Sequence, residues 1–268
     1  MFYFHSAFLN GQLDEDEEVF MEQPPGYKES DLQKYCVKLH KSLYGLKQAG
    51  CKWYEIVCRM LPELGFKKCE ADQAVFYIHT GKDILILAIH VDDCTMTGSS
   101  DNLIQSYRLK IKSMYDLIDL RPNHWLLGIK ITQDRGNHTI SLSQLSYIDS
   151  LLRRFNFTDF RPFSTPMDPN IWYSKNQCLQ TPEQAAEICH IPYCKGIGSL
   201  LYLAITTCPD IAFPIGILSQ FVDNPGWVHW EGVKHIFWYL AGTRDWVLVY
   251  GTKVKDLEWF TDVDGATQ

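Results

Sequence analysis

The sequence contains no long apolar run, no internal repeat and no excess of positive charge. A membrane helix needs roughly 20 consecutive apolar residues, and no stretch here reaches that length; no positively charged leader with an apolar core opens the chain either. The chain is therefore expected to be intracellular, cytoplasmic or nuclear, without a membrane partner. A formal charge of -7 excludes a uniformly basic nucleic-acid binder. Disulfide logic is missing too: the nine cysteines are an odd number without repeated spacing, which reads as reduced thiols. Cys189, His190 and Cys194 lack a second ligand pair at zinc-finger spacing, so packing is the expectation for those cysteines.

What is present is a globular composition, 46% hydrophobic over 268 residues, enough for one large or two ordinary domains. Charge is uneven. Between Lys28 and Lys68 nine Lys/Arg stand against four acids, a local +5. A polyanion could approach there, or the lysines are solvated helix positions that snorkel. The acidic run from Asp14 to Glu18 reads as a solvated surface turn.

Periodicity sketches an α+β chain. Met1 to Phe4 suits a strand and Asn10-Gly11 a turn. Trp53, Val57 and Leu61 mark one face of a helix from about Cys51 to Leu64, after a loop at Ser42 to Gly50. Ala74 to His79, a Gly81-Lys82 turn and the run from Ile84 make a hairpin. Ser99, Ser100 and Asp101 cap a helix with Leu103, Tyr107, Ile111 and Met114 on one stripe. A strand at Leu126 to Thr132, another at Thr139 to Leu142 and a helix through Leu145, Ile148, Leu152 and Phe155 follow. After a Pro-, Ser- and Asn-rich linker at 161–182 come three helices, Pro192 to Thr206, Pro209 to Phe221 and Trp227 to Leu240, each with a proline near its start. The late alternation Val247 to Tyr250 looks like a strand with nothing after it to pair with.

The stretch Asp83 to Thr97 concentrates the chemistry. Six apolar residues, Ile84 to Ile89, lead through His90 and Val91 to adjacent carboxylates Asp92 and Asp93. Two carboxylates at the end of a buried strand repel and lose solvation, a cost that a divalent cation offsets. A solvated Asp-Asp hairpin tip is the competing reading, since Asp favours turns.

Several blocks together resemble the reverse transcriptase region of Pol polyproteins from copia-type long-terminal-repeat retrotransposons. They are Ala7-Phe8-Leu9-Asn10-Gly11, Met21 to Tyr27, Lys41-Ser42-Leu43-Tyr44-Gly45-Leu46-Lys47-Gln48-Ala49 with Trp53-Tyr54, and Val91-Asp92-Asp93. Downstream blocks are Leu127-Gly128-Ile129, Leu142-Ser143-Gln144, Thr165-Pro166, Ile197 to Ala204, His229-Trp230 and Tyr239 to Thr243. The likeness covers essentially the whole chain.

The resemblance implies a hand-shaped polymerase: a palm of antiparallel sheet with packed helices, lacking most of the fingers, then a helical thumb and connection and the first strands of a ribonuclease H-like domain. The implied division is 1–160 palm and start of thumb, 161–182 linker, 183–245 helical connection and 246–268 ribonuclease H stub. The implied reaction is nucleotidyl transfer from dNTPs to a primer on an RNA or DNA template with two Mg2+ ions, beside other Pol segments. Asp92 and Asp93 match the catalytic, metal-binding pair, with His90 where the family has tyrosine. The family's early aspartate falls on Tyr3, and a phenol is a poor ligand for a hard cation.

Phe8 matches the aromatic under the nucleotide sugar, with an ordinary core aromatic as the alternative. Tyr44, Gly45 and Gln48 match the loop beside the nascent base pair. Lys41, Lys47 and Lys52 could neutralise template-primer phosphates, or be solvated. Asp262 matches the first ribonuclease H aspartate, the remaining residues of that site falling beyond Gln268. Cys208 and Trp238 stand where the family has arginine. The expectation is a truncated, inactive copy; a non-catalytic nucleic-acid-binding or structural protein is the alternative.

Overall fold

The computed structural model describes residues 2–27, 35–119, 125–157, 161–188 and 190–251, and the chain divides into two compact units, Met1–Asn123 and His124–Gln268. The sequence-based linker at 161–182 thus falls inside the second unit. Both units are antiparallel sheets with helices, so the mixed α and β character expected from periodicity holds.

In the first unit the strands are β1 (Phe2–Phe4), β2 (Phe20–Met21), β3 (Val37–Lys38), β4 (Lys67–Lys68), β5 (Val75–Thr80), β6 (Asp83–His90), β7 (Asp93–Gly98) and β8 (Leu117–Asp119). The helices are α1 (Ala49–Glu63) and α2 (Asp101–Met114). Six strands form one antiparallel sheet in the order β4-β5-β6-β7-β1-β8, while β2 and β3 pair separately. Because side chains alternate along a strand, Phe2, Phe4, Phe76, Ile78, Leu85, Leu87 and Cys94 all enter one face. Trp53, Val57, Met60 and Leu61 from α1, with Ile111 from α2, close over them.

The six-residue apolar run before Asp92 is therefore not buried on both sides. Leu85 and Leu87 are sealed, Ile86, Ala88 and Ile89 are half-buried and Ile84 is exposed, because only one face of this antiparallel sheet carries helices. The start of α2 follows its cap: the Ser100 hydroxyl accepts a hydrogen bond from the Leu103 N–H at 3.2 Å. Met114, placed on the buried stripe from spacing, is exposed at the last turn.

The second unit contains β9 (Trp125–Leu126), β10 (Ile129–Asp134), β11 (Thr139–Ser143) and β12 (Leu248–Tyr250), with α3 (Leu145–Arg154), α4 (Pro182–Ile188), α5 (Tyr193–Thr206), α6 (Ala212–Ser219) and α7 (Trp227–Thr243). One correction arises here. The strand expected at Leu126 to Thr132 is a hairpin, since Leu127 and Gly128 both take positive φ, 49° and 81°, and turn β9 back as β10. That pair of dihedrals is the signature of a two-residue primed turn. The late strand forms as β12 and pairs with the earlier β11, Leu142 opposite Leu248 and Ile140 opposite Tyr250.

The core of this unit is helical, drawn from α3, α5, α6 and α7 around Leu200, Leu203, Ile215, Ile236 and Phe237. Cys208 and Trp238, noted in the sequence for the charge they lack, pack against that cluster half-buried. Cys194, expected to pack, is exposed. Cys189 and Asp262 lie outside the described residues.

Candidate active site

β6 and β7 meet in a two-residue turn. His90 pairs with Asp93 across the ladder, leaving Val91 and Asp92 as the tip. Val91 carries φ 58°, a region costly for a β-branched residue. Its carbonyl is fixed from below by the buried Trp53 of α1, whose indole N–H donates to Val91 O at 2.6 Å. β1 runs beside β7 with Phe2 opposite Cys94 and Tyr3 opposite Asp93, and the Phe4 N–H donates to Asp92 O at 3.0 Å.

Alternation sorts these residues. Phe2, Phe4 and Cys94 point into the core; Tyr3 and Asp93 share the other face. Burial, reinforced by the charges of Asp93 and Asp92, pushes the Cys94 thiol far above its ordinary value. Asp92 and Asp93 are half-buried, and no hydrogen bond or ion pair engages their carboxylates among the described residues. The adjacent strand position that could supply a third carboxylate carries the Tyr3 phenol.

The neighbouring loop is pinned to this edge. The Ser42 hydroxyl donates to Phe8 O and the Ser42 N–H to Gly11 O at 2.8 Å. Gly11 makes this approach possible, because a Cβ there would lie 2.6 Å from Ser42 Oγ and 2.9 Å from Lys52 Cβ. The loop then brings the exposed Tyr44 ring to 5.0 Å from Phe8. Gly45 follows at φ 99°, and Gln48, half-buried, holds the N-cap position of α1 without a side-chain cap bond. Phe8 is half-buried against the core cluster, at its edge and not within it. Phe8 and Tyr44 are thus brought together, and Phe8 shares a cavity wall with Val91 of the Asp92 turn.

The three lysines separate. Lys41 and Lys47 are exposed, with no ion pair among the described residues. Lys52 differs from them: it is only 7% exposed and pairs with Asp14, with Glu17 at 3.7 Å and with Glu55 at 4.0 Å. The hydrogen bond to Asp14 raises its pKa. A cation so surrounded has no charge to spare for a phosphate. The acidic run is the exposed surface turn expected of it, and within it Asp14 and Glu17 also bind Lys52 while Glu18 pairs with Lys38 at 3.2 Å. Sequence periodicity placed Trp53 in the core but gave no signal for its bond to the hairpin.

Residues 2–169 match the family model described as reverse transcriptase (RNA-dependent DNA polymerase). The chain belongs to this family. It is 37% identical over 262 residues to the retrovirus-related Pol polyprotein from transposon TNT 1-94 of Nicotiana tabacum, covering 97% of this chain and 20% of the relative. Against the Pol polyprotein from transposon RE1 of Arabidopsis thaliana it is 36% identical, covering 98% of this chain and 17% of the relative. Against the putative transposon Ty5-1 protein of Saccharomyces cerevisiae it is 30% identical, covering 91% of this chain and 77% of the relative. The chain thus spans about a fifth of the two plant polyproteins and corresponds to their reverse transcriptase region. No solved structure matches.

Reverse transcriptases work with divalent cations, and Mg2+ demands near-octahedral oxygen coordination. Beside the two carboxylates at the β6–β7 turn stand the Tyr3 phenol and, across the ladder from Asp93, His90, and no group of three or more His, Cys, Asp or Glu side chains able to hold a metal is formed among the described residues. These residues do not fit a two-metal site.

Proposed function

We propose that this chain is a reverse transcriptase domain of copia type that retains a primer-template-binding surface but transfers nucleotides poorly or not at all. The first unit corresponds to the palm and the helices of the second to thumb and connection, while Leu248–Tyr250, expected in a ribonuclease H stub, pairs with β11 within the second unit. Asp92 and Asp93 are its remaining catalytic carboxylates. Phe8, Tyr44, Gly45 and Gln48 line the nucleotide side, and Lys41 and Lys47 meet template-primer phosphates. The observation that carries the reading is the register of β1 on β7, which puts Tyr3 beside Asp93. A neutral phenol beside the pair leaves the developing charge of phosphoryl transfer without its usual counter-ions.

Primer extension with Mg2+, dNTPs and an RNA or DNA template tests this. Expected is extension no faster than the Asp92→Asn variant. Robust incorporation that Asp92→Asn abolishes would overturn it.

A non-catalytic nucleic-acid-binding role is the second reading, favoured by the exposure of Lys41 and Lys47. It predicts salt-sensitive primer-template binding without turnover; no binding at low salt would exclude it.

A further inference from the structure

Between α1 and the sheet, directly under the Asp92 turn, lies a cavity of about 140 Å3. Its walls are chiefly Phe8, Trp53, Val57, Phe76, Ile89 and Val91, and none of its lining residues is charged. The polar tips in the wall are already engaged: the Trp53 N–H donates to Val91 O, and the Tyr54 hydroxyl donates to Gln73 O at 3.0 Å. A buried water needs two to four polar partners, whereas an apolar cavity of roughly 150 Å3 stays dry and takes up a benzene-sized ring. Gly50, at the second position of α1, also lines the space, and a Cβ built there would meet no atom within 4 Å. A side chain at that helix position therefore has free space at the cavity wall.

We propose that this cavity binds a small flat apolar ring of benzene or toluene size, and that its occupancy is coupled to the Asp92 turn. The coupling follows from two wall residues. Val91 is half of the turn itself, held at φ 58°, and Trp53 grips the Val91 carbonyl. A ring between them touches both. No wall residue is charged to meet a phosphate, so the ligand chemistry differs from that of a nucleotide, although Phe8 is shared with the side where Tyr44 and Gln48 lie.

The probe is fluorobenzene, titrated into the full chain and followed by fluorine NMR, with the Trp53 indole and Val91 amide resonances recorded alongside. Expected are a saturable fluorine shift, movement of both protein resonances and a higher melting midpoint. Gly50→Leu fills the mouth with a side chain that helices favour over glycine, and should weaken binding at least tenfold while melting cooperatively. Should it fail to fold, Gly50→Ala, whose methyl has free space, should weaken binding about threefold. No saturable shift in the unaltered chain, or equal affinity in a folded Gly50 variant, would overturn the site. Saturable binding with Trp53 and Val91 unmoved would overturn the coupling.

Discussion

Tyr3 stands directly opposite Asp93 in the β1–β7 ladder, so the phenol flanks the carboxylate from β1 as His90 does from β6. Replacing it tests the consequence without reference to catalysis. Tyr3→Asp puts a second carboxylate on the face of Asp93, beside Asp92 of the turn, where like charges repel and a divalent cation relieves them. The variant should melt lower than the unaltered chain in chelator and recover with Mg2+ or Mn2+. A cation present at 100 times its Kd adds about 2.7 kcal/mol. The unaltered chain should show little change with either metal. An equal metal-dependent rise in both proteins would contradict the account of Tyr3.

The second relationship is between Trp53 and Val91. A β-branched residue at positive φ costs on the order of 1–3 kcal/mol, and glycine at that position gives back about 0.5–1 kcal/mol through its unfolded-state freedom. Val91→Gly should therefore raise unfolding free energy by about 1 kcal/mol in urea titration. Trp53→Phe loses the indole hydrogen bond, worth roughly 0.5–1.5 kcal/mol, together with buried ring volume, and should destabilise. A Val91→Gly chain less stable than the original would show that the turn stores no strain.

Lysines that look alike in the sequence should behave differently. Lys47→Glu should weaken low-salt binding to a primer-template and reduce the salt slope by about one. Lys52→Met should leave binding unchanged and lower stability, because Asp14, Glu17 and Glu55 then converge on no cation. Fluorescence anisotropy against salt, paired with a melt, separates the two. Equal binding losses at both positions would mean Lys52 also faces the nucleic acid.

How much was legible followed from how local the signal was. The hairpin ending in Asp92-Asp93, the Ser100 cap and the helix through Trp53, Val57 and Leu61 are written in spacing and turn chemistry within a few residues. Leu127-Gly128 was misread because the apolar run on both sides hides a turn that only the positive dihedrals reveal. β12 is legible as a strand from its alternation, but its partner β11 lies about 100 residues earlier, and strand pairing leaves no local mark at that distance. For the same reason the ring of acids around Lys52 was invisible: Asp14 and Lys52 are 38 residues apart. Of the candidate site, residue identities were readable, whereas the contacts that fix them, Trp53 on Val91 and Ser42 on Phe8, are tertiary.

Thiol reactivity follows burial. Cys94 is sealed, its thiol pushed far up by burial and by two neighbouring carboxylates, so the thiolate that reacts is scarce. Cys36, Cys51 and Cys194 are exposed. Mass spectrometry after brief treatment with an alkylating reagent should find those three modified and Cys94 intact until denaturant is added. Early labelling of Cys94 would mean that the strand beneath the carboxylates opens in the native state.

Stability of the second unit should fall off on both sides of neutrality, for separate reasons. Tyr239 is buried and donates to Asp210 Oδ2 at 2.6 Å; burial first and then that carboxylate push its pKa up to about 12. Burial likewise raises Tyr193, whose hydroxyl donates to Leu218 O at 2.7 Å. A phenol with a raised pKa keeps its proton in the fold while the unfolded chain releases it near 10, so stability present below pH 10 is lost as pH rises towards 12. His229 has the opposite sign. It is fully buried, accepts the Gly226 N–H on Nδ1 at 2.8 Å and is pushed down by desolvation. The unfolded chain takes up that proton first, so stability is whole above about pH 6.5 and declines as pH falls below it. Urea midpoints measured from pH 4 to 11 should form a plateau with two falling limbs. Lys52, also raised, belongs to the first unit, so Tyr239→Phe tests the phenol of the second: it should lower the plateau and make that limb shallower. An alkaline limb of unchanged slope in Tyr239→Phe would remove Tyr239 as a cause.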